Sequence, residues 1–324
     1  MTSPARTIRV GTRTSRLAMI QAALFKDAVG VSSTQATVEI IGVSTIGDRQ
    51  RTIPIPDLGQ GAFVKELEVS LVLEEIDVAA HSLKDLPTEL PPGLTLGAVL
   101  TRADPRDALV SREGMTLAEL PAGSRVGTGS PRRASQIRAR RPDLEVVGIR
   151  GNIESRIRTV IEERDVDAVV LAVAGLARAG LSHLITEHLD PRLFLPAVGQ
   201  GFLGIECREA DEETAALLHT VEDSRARRIA DLERAFLAAV GGFCRTPLAA
   251  FADIEEDGSL VLEGMIATHD GRTVLQERVT GDPTTEPAVA GNRLKDALFA
   301  QGAERIIAVA EEAWVRRNQR PDDD

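Results

Sequence analysis

The stretch RVGTGSPRRASQIRARR, residues 125–141, changes character twice. It opens as a short apolar strand, turns through Thr128, Gly129 and Ser130, and continues from Pro131 in a helical pattern. Pro131 suits a first helical position, because the N–H it lacks has no partner there in any case. The backbone N–H groups of such a helix start point at an incoming anion. A strand, a tight turn and a helix make the repeating unit of a parallel α/β sheet, and the rest of the chain reads outward from it.

The same style recurs on both sides. Between residues 7 and 100, TIRVG, TVEIIGV, DVAAHSL and LTLGAVL read as strands, and SRLAMIQAALFKDAV and AFVKELEVSLVLEEI as amphipathic helices. From 105 to 198, SRVGT, LEVVGI and DAVVLAV are strand-like, while SPRRASQIRARR and NIESRIRTVIEER are helix-like. Further on, SRARRIADLERAFLAAV reads as a long helix, followed by strands at LVLEGMIA and TVLQERVT and a helix near 289–300. A chain of 324 residues exceeds one ordinary core, so two or three domains are expected.

Composition narrows the function. Hydrophobic residues at 43% and charged residues at 27% describe a globular protein. The net charge of −11 is unevenly spread. Residues 251–324 hold 16 acids against 8 bases, whereas residues 125–164 hold 10 arginines against 5 acids. Only four of the chain's bases are lysines, so this basic island presents guanidinium forks, which grip carboxylates and phosphates two bonds at a time. With 3% aromatics, no tyrosine and a pI near 5.1, a nucleic-acid partner is not expected. No apolar run is long enough to span a membrane, and MTSPARTIRV lacks a signal-peptide pattern, so a cytoplasmic protein is expected. The two cysteines, Cys207 and Cys244, form no CxxC, and His183 and His188 stand five apart, so no metal is expected.

Four motifs carry candidate chemistry. GQGFLG, 199–204, has the letters of a dinucleotide fingerprint, but it reads as loop then strand where that fingerprint needs strand then helix. In the basic island, Thr128, Ser130, Arg132, Arg133, Arg150 and Arg156 are placed beyond the carboxyl ends of adjacent parallel strands, where open α/β sheets bind ligands. Arg138, Arg140 and Arg141 are expected on a solvated helix face. HSLKDLP, 81–87, sets Lys84 and Asp85 at a strand's end, where charged groups belong to a surface turn or a site. VGGFCRTP, 240–247, puts Cys244 in a loop beside Arg245, a setting that exposes a thiol and lowers its pKa, whereas Cys207 in the strand GIEC reads as buried and inert.

These segments resemble one family. VGTRTSRLAMIQA, FVKELE, HSLKDLPTELP, DPRDALV, VGTGSPRR, RRPDLEV, IRGNIESR, LAVAGLARAGL, LPAVGQGFLGIECR and VGGFCRTPL match the porphobilinogen deaminases, or hydroxymethylbilane synthases, in order from about residue 8 to 248. The resemblance implies a transferase that joins four porphobilinogen molecules head to tail, releasing ammonia each time, on a dipyrromethane cofactor held by a thioether to Cys244. It implies an α/β and α+β fold: two type II periplasmic-binding-protein-like α/β domains, at 1–101 with 200–222 and at 102–199, then a smaller α+β domain at 223–324 carrying the cofactor loop. By the same resemblance Asp85 is the catalytic carboxylate. Arg13, Ser15, Arg132, Arg133, Arg150, Arg156 and Arg178 would bind the acetates and propionates of cofactor and substrate, with Ser82, Lys84, Thr128, Ser130 and Gln200 in support. Such a ligand explains the basic island of an acidic protein. The family usually works as a monomer.

Four positions depart from the family's pattern: Gln60 stands where a loop lysine is usual, Arg16 replaces the proline of SPLA, Ser155 a threonine, and Phe243 the glycine before the cofactor cysteine. The alternative reading is a non-catalytic type II binding protein for an anionic small molecule. The third domain with its loop cysteine counts against it.

Overall fold

The computed structural model describes residues 6–32, 36–49, 61–241 and 246–318. Its contacts divide into two compact units: Met1–Pro105 with Ala172–His183 and Gly199–Ala230, and Arg106–Leu171 with Leu184–Val198 and Asp231–Asp324.

The first unit is built on a five-stranded sheet. β1 (Arg6–Arg13), α1 (Arg16–Ser32), β2 (Ala36–Val43), the short α2 (Ile46–Arg49), α3 (Lys65–Val72), β3 (Val78–Ser82) and β4 (Leu94–Val99) follow in sequence, and the much later β10 (Leu203–Arg208) inserts between β3 and β4. β1 pairs parallel with β2 and with β3, while β10 runs antiparallel to both its neighbours. Alternation decides the faces. Val78, Ala80, Leu203, Ile205 and Cys207 pack with Ala22, Phe25 and Val29 of α1 on one side, whereas Ala79 meets Leu67 and Leu71 of α3 on the other. α7 (Glu212–Val221) adds Leu218 to the α1 side.

Helix α3 is shorter than AFVKELEVSLVLEEI suggests. Glu74 takes a left-handed φ of 57°, and the N–H groups of Glu75 and Ile76 turn back to the Ser70 carbonyl. That stop drops Ile76 into the core, at 1% exposure.

At the sheet's opposite end, Asp77 ties three elements together. Arg9 forks onto it (Nη2–Oδ1 2.7 Å, Nε–Oδ2 3.1 Å) and Arg208 Nη2 approaches within 3.4 Å. Burial raises the Asp77 pKa, but hydrogen bonds and charge from Arg9, with the Arg208 charge, outweigh it and hold the carboxyl below its usual range. A carboxyl depressed in the folded state adds stability above its unfolded pKa of ~4, and that stability is lost as pH falls through the folded value. Asp77→Asn is therefore expected to lower the melting temperature at pH 7, with the gap to wild type closing as pH falls below the unfolded pKa of ~4 and through the lower folded value. A gap that keeps its size over that range contradicts this account.

The second unit repeats the strand order. β5 (Asp107–Ser111), β6 (Arg125–Gly127), α4 (Pro131–Arg140), β7 (Glu145–Val147), α5 (Ile153–Ile161), β8 (Ala168–Ala172) and β9 (Glu187–His188) give a sheet ordered β7-β6-β8-β5-β9, with β6 parallel to β7 and β8. Its core joins Leu109, Val126, Ala168 and Val170 to Ile137 of α4 and to Phe194. β8 gives way at Val173 to α6 (Val173–Arg178), which belongs to the first unit. β5 and β9 escaped the sequence reading. β5 is a fully buried run with no alternation to betray it, and β9 is two residues long.

Past α8 (Ser224–Ala239), the antiparallel sheet of β11 (Leu248–Ile254), β12 (Leu260–Ala267) and β13 (Val274–Gly281) is followed by α9 (Pro287–Ala300) and α10 (Ala303–Asn318). β11 and α10 were also not anticipated from sequence. Glu233 of α8, fully buried, accepts the Ala252 N–H at 3.0 Å and so fixes β11 to the helix. Two α/β sheets of matching order and an antiparallel sheet with its helices are the α/β and α+β architecture expected from sequence.

Candidate functional site

In the first unit the site forms where β3 ends. Ser82 closes the strand and Leu83–Asp85 make one turn of 3-10 helix, with Leu83 1% exposed as its anchor. Lys84 and Asp85 are thereby pushed outward, and both are exposed. Among the described residues none hydrogen-bonds or ion-pairs with the Asp85 carboxylate. Lys84 Nζ donates to Gln200 Oε1 at 3.4 Å, and the Gln200 amide donates to the Pro105 carbonyl at 2.7 Å. Gln200 is 1% exposed and the 199–201 loop lies directly under the turn. A Cβ on Gly199 would stand 3.1 Å from the Lys84 nitrogen, and one on Gly201 would collide with the Ala103 carbonyl; both residues have positive φ, 74° and 97°. Glycine is required twice, for conformation and for close approach. GQG is thus a support for the Lys84–Asp85 turn and not a nucleotide loop.

Arg178 donates to the Gly201 carbonyl at 2.7 Å, and burial lowers its pKa. Ser82 Oγ accepts from Gln21 of α1 at 2.7 Å. Ser15 lies just ahead of α1, its Oγ 3.4 Å from the Ala18 N–H. Arg13, at the end of β1, is engaged by an acid: it bridges Asp48 (Nη2–Oδ1 2.5 Å) and its guanidinium lies 4.2 Å from the Phe63 ring centre. Burial raises the Asp48 pKa, but hydrogen bonds and charge from Arg13 outweigh it and hold the carboxyl low.

The second unit brings together the basic island. β6 and β7 end side by side, Thr128 N–H donating to the Val147 carbonyl at 2.9 Å. Gly129 fits only because it lacks a side chain, since a Cβ there would meet the Ile149 carbonyl at 2.7 Å. Ser130 caps α4, accepting from the Arg133 N–H, and Thr128 Oγ1 accepts from the Ser130 N–H at 3.2 Å. Asn152 caps α5 in the same way, from the Ser155 N–H at 2.8 Å, so serine serves at 155. Arg156 Nε donates to the Gly151 carbonyl at 2.9 Å, and burial lowers the Arg150 pKa.

Arg132 and Arg133 are not open forks. Each is 5% exposed, and both converge on Asp107, which is fully buried at the start of β5. Arg132 Nη1 donates to Asp107 Oδ2 at 2.8 Å and to the Leu195 carbonyl at 2.6 Å; Arg133 donates to Oδ1 from Nη2 at 2.7 Å and to the Val170 carbonyl at 2.9 Å. Burial raises the Asp107 pKa, but the charges and hydrogen bonds of the two arginines prevail and hold it far below the carboxylate range. Two cations and one anion leave this cluster with one net positive charge. Sequence reasoning missed Asp107 as a site residue, though DPRDALV held the signal: an acid entering an apolar strand needs a buried cation.

The outer arginines of α4 are part-exposed, and each also has a partner in the fold. Arg138 donates to the His269 carbonyl at 2.8 Å, Arg140 lies 4.7 Å over the Phe194 ring, and Arg141 bonds the Leu120 carbonyl and Asp143 at the helix's end. Cys207 is wholly buried, and burial, then the charges of Asp211 and Glu206, pushes its thiol up to about 11, as an inert residue requires. Cys244, Phe243 and Gln60 lie outside the described residues. Among the described residues no group of acids, histidines and cysteines has the makings of a metal site, and no helix is long and apolar enough to cross a membrane.

Guanidinium groups at strand ends have the chemistry to meet a carboxylate-bearing ligand, and an α/β fold is a common frame for an enzyme that handles one. Residues 8–216 match the family profile described as "Porphobilinogen deaminase, dipyromethane cofactor binding domain", and residues 228–300 match its C-terminal domain. The porphobilinogen deaminase of Halalkalibacterium halodurans is 45% identical over 93% of this chain and 96% of its own, and that of Roseiflexus sp. is 46% identical over 93% and 99%. A solved periplasmic binding protein of high arginine specificity from Salmonella typhimurium overlaps 69% of this chain and 94% of its own at 15% identity and a TM-score of 0.37. The chain belongs to the porphobilinogen deaminase family. It is a transferase of tetrapyrrole biosynthesis that condenses porphobilinogen, with loss of ammonia, into hydroxymethylbilane, and its larger matched region is the part that binds dipyrromethane.

Proposed function

We propose that Asp85 carries this chemistry and that Cys244 holds the dipyrromethane through a thioether. The observation that supports the first is the exposed Asp85 carboxylate on a turn fixed from below by Gly199 and from the side by the Lys84–Gln200 contact. The donor set fits a group that bears carboxylates. Arg132 and Arg133 stand at the capped start of α4, and Arg178 is a half-buried guanidinium that donates to the Gly201 carbonyl. Arg132, Arg133, Arg150, Arg156, Thr128 and Ser130, and Arg13, Ser15, Ser82, Lys84, Arg178 and Gln200, would hold dipyrromethane and chain carboxylates.

When bound, the dipyrromethane supplies an open pyrrole carbon to which the first substrate is joined. At each addition the substrate's carbon–nitrogen bond breaks, ammonia leaves, and a cation shared with the pyrrole nitrogen remains. Asp85 stabilises that cation through the ring N–H. After the carbon–carbon bond forms, Asp85 accepts the proton that the ring carbon sheds. Lys84 and the arginines hold the ring carboxylates while this happens.

The three sheets support a division into three domains, at 1–101 with 200–222, 102–199 and 223–324. The protein is read as a cytoplasmic monomer without a nucleic-acid partner.

Cys244→Ser is expected to give a folded protein that lacks the covalent dipyrromethane by intact-mass measurement, because a hydroxyl is a poor nucleophile at neutral pH. Cys207→Ser is expected to keep it, its thiol being buried and held protonated. The opposite pair of masses reverses the assignment.

A further inference from the structure

We propose that the buried pair His81–Glu206 is a register lock that positions Lys84 and Asp85; the proposal rests on Asp85 being the catalytic carboxylate. His81 Nε2 stands 3.0 Å from Glu206 Oε2, with the side chains 3% and 0% exposed. The pair crosses diagonally from β3 to β10, where Gly204 faces His81 and Glu206 faces Ala79. Immediately beyond it the strands still pair, Ser82 with Leu203 and the Leu83 N–H with the Phe202 carbonyl at 3.1 Å. From there one strand runs into the Lys84–Asp85 turn and the other comes from the Gln200 loop. The pair thus sits at the last point where the register of both functional segments is set.

Packing around Gly204, where a Cβ would meet Leu83 and Leu96, favours this register, and the polar pair adds direction to it. On its other edge β10 meets β4 with a shift: Ile205 faces Ala98 but Glu206 faces Leu96, leaving Gly97 out. Such a bulge loosens what β4 dictates. Against β3, Val78 faces Cys207 and Ala80 faces Ile205, small or aliphatic pairs with no directional contact between them. A slip of one residue would turn the apolar set out of the core, but a slip of two keeps the alternation. It would carry Gln200 and Gly199 about 7 Å along the strand, away from the turn they support. A directional polar contact inside the ladder penalises that slip directly.

Stability does not account for the pair. Buried ion pairs contribute little net stability, and Glu206 Oε1 accepts no hydrogen bond from any described residue. Its charge reaches Glu68 of α3, whose carboxyl is raised by burial first and by Glu206 next. The arrangement gives up stability for a unique register, the use for which buried polar pairs are best attested.

The test compares the holoenzyme of wild type, the double variant His81→Leu/Glu206→Leu, and Glu206→Gln. The double variant is expected to melt within a few degrees of wild type and to carry dipyrromethane by intact mass. Its kcat should fall roughly 10²-fold, the loss that a misplacement of ~1 Å produces. Glu206→Gln still accepts a hydrogen bond from His81 and should hold kcat near wild type. A double variant with wild-type kcat overturns the proposal, and so does a kcat loss matched by a collapse in melting temperature. Glu206→Gln as damaged as the double variant also overturns it, since charge rather than register would then matter. Asp85→Asn run in parallel separates the two readings: if it retains turnover, the catalytic assignment fails, and the lock is judged by the double variant alone.

Discussion

Asp85→Asn is expected to cut turnover by about 10²–10⁴-fold while substrate binding and melting temperature stay close to wild type. The shape of the side chain is kept and its charge removed, so the variant reports on charge alone. Two cationic points lie on the reaction path, one after ammonia leaves and one before the ring carbon loses its proton. A fixed carboxylate serves both, and an amide serves neither. The carboxylate is exposed and meets no described partner, so its loss breaks no contact that holds the fold. Asp85→Glu keeps the charge one methylene further out and should retain more activity than Asp85→Asn. Turnover and melting curves on both variants decide the matter. If Asp85→Asn is less stable yet turns over within a few-fold of wild type, Asp85 is a structural residue of the turn.

Asp107→Ala is expected to be the most destabilising single change in the site, because it strands two buried guanidiniums. Removing one member of a buried ion pair costs about 3–5 kcal/mol, and here both Arg132 and Arg133 lose their acid. Arg132→Leu leaves Asp107 still paired with Arg133, so its effect on folding should be smaller. It should nonetheless remove a guanidinium from the start of α4 and with it dipyrromethane loading or early elongation. A ligand carboxylate left unmatched costs roughly 2–5 kcal/mol of binding. Denaturant titration orders the two variants by stability, and native mass spectrometry with limiting porphobilinogen shows where elongation stalls. Should Arg132→Leu load cofactor and complete the chain normally, the cluster is core structure and nothing more. Because the Asp107 carboxyl is held far below its ordinary range, the stability it brings is present above its unfolded pKa of ~4 and persists into strongly acidic solution.

Arg140 shows how far a helix-face argument reaches. Spacing along RASQIRARR put Arg138, Arg140 and Arg141 outside the site, and they do have structural work instead. They are only part-exposed, because Phe194 and the His269 and Leu120 carbonyls come to them from segments far along the chain. Spacing states which side of a helix a residue occupies, not what arrives to cover it.

Local rules settled much of this protein from its letters. Pro131 after Ser130 starts α4, and Asn152 caps α5, since both follow from which N–H groups a helix start leaves unbonded. GQGFLG was read as loop then strand, and β10 begins at Leu203. The motif order carried the family, and with it the chemistry. What the chain's own letters could not settle is which charges remain available. Arg13, Arg132 and Arg133 look alike in sequence to Arg178, but Asp48 of α2 and Asp107 of β5 stand against the first three. The insertion of β10 between β3 and β4 is likewise a tertiary choice, more than a hundred residues away in the chain, and it alone brings Gln200 beneath Lys84. Propensity and capping act over a few residues and are written locally. Ion pairing and strand insertion depend on which distant segments share a desolvated space, and only the folded chain fixes that.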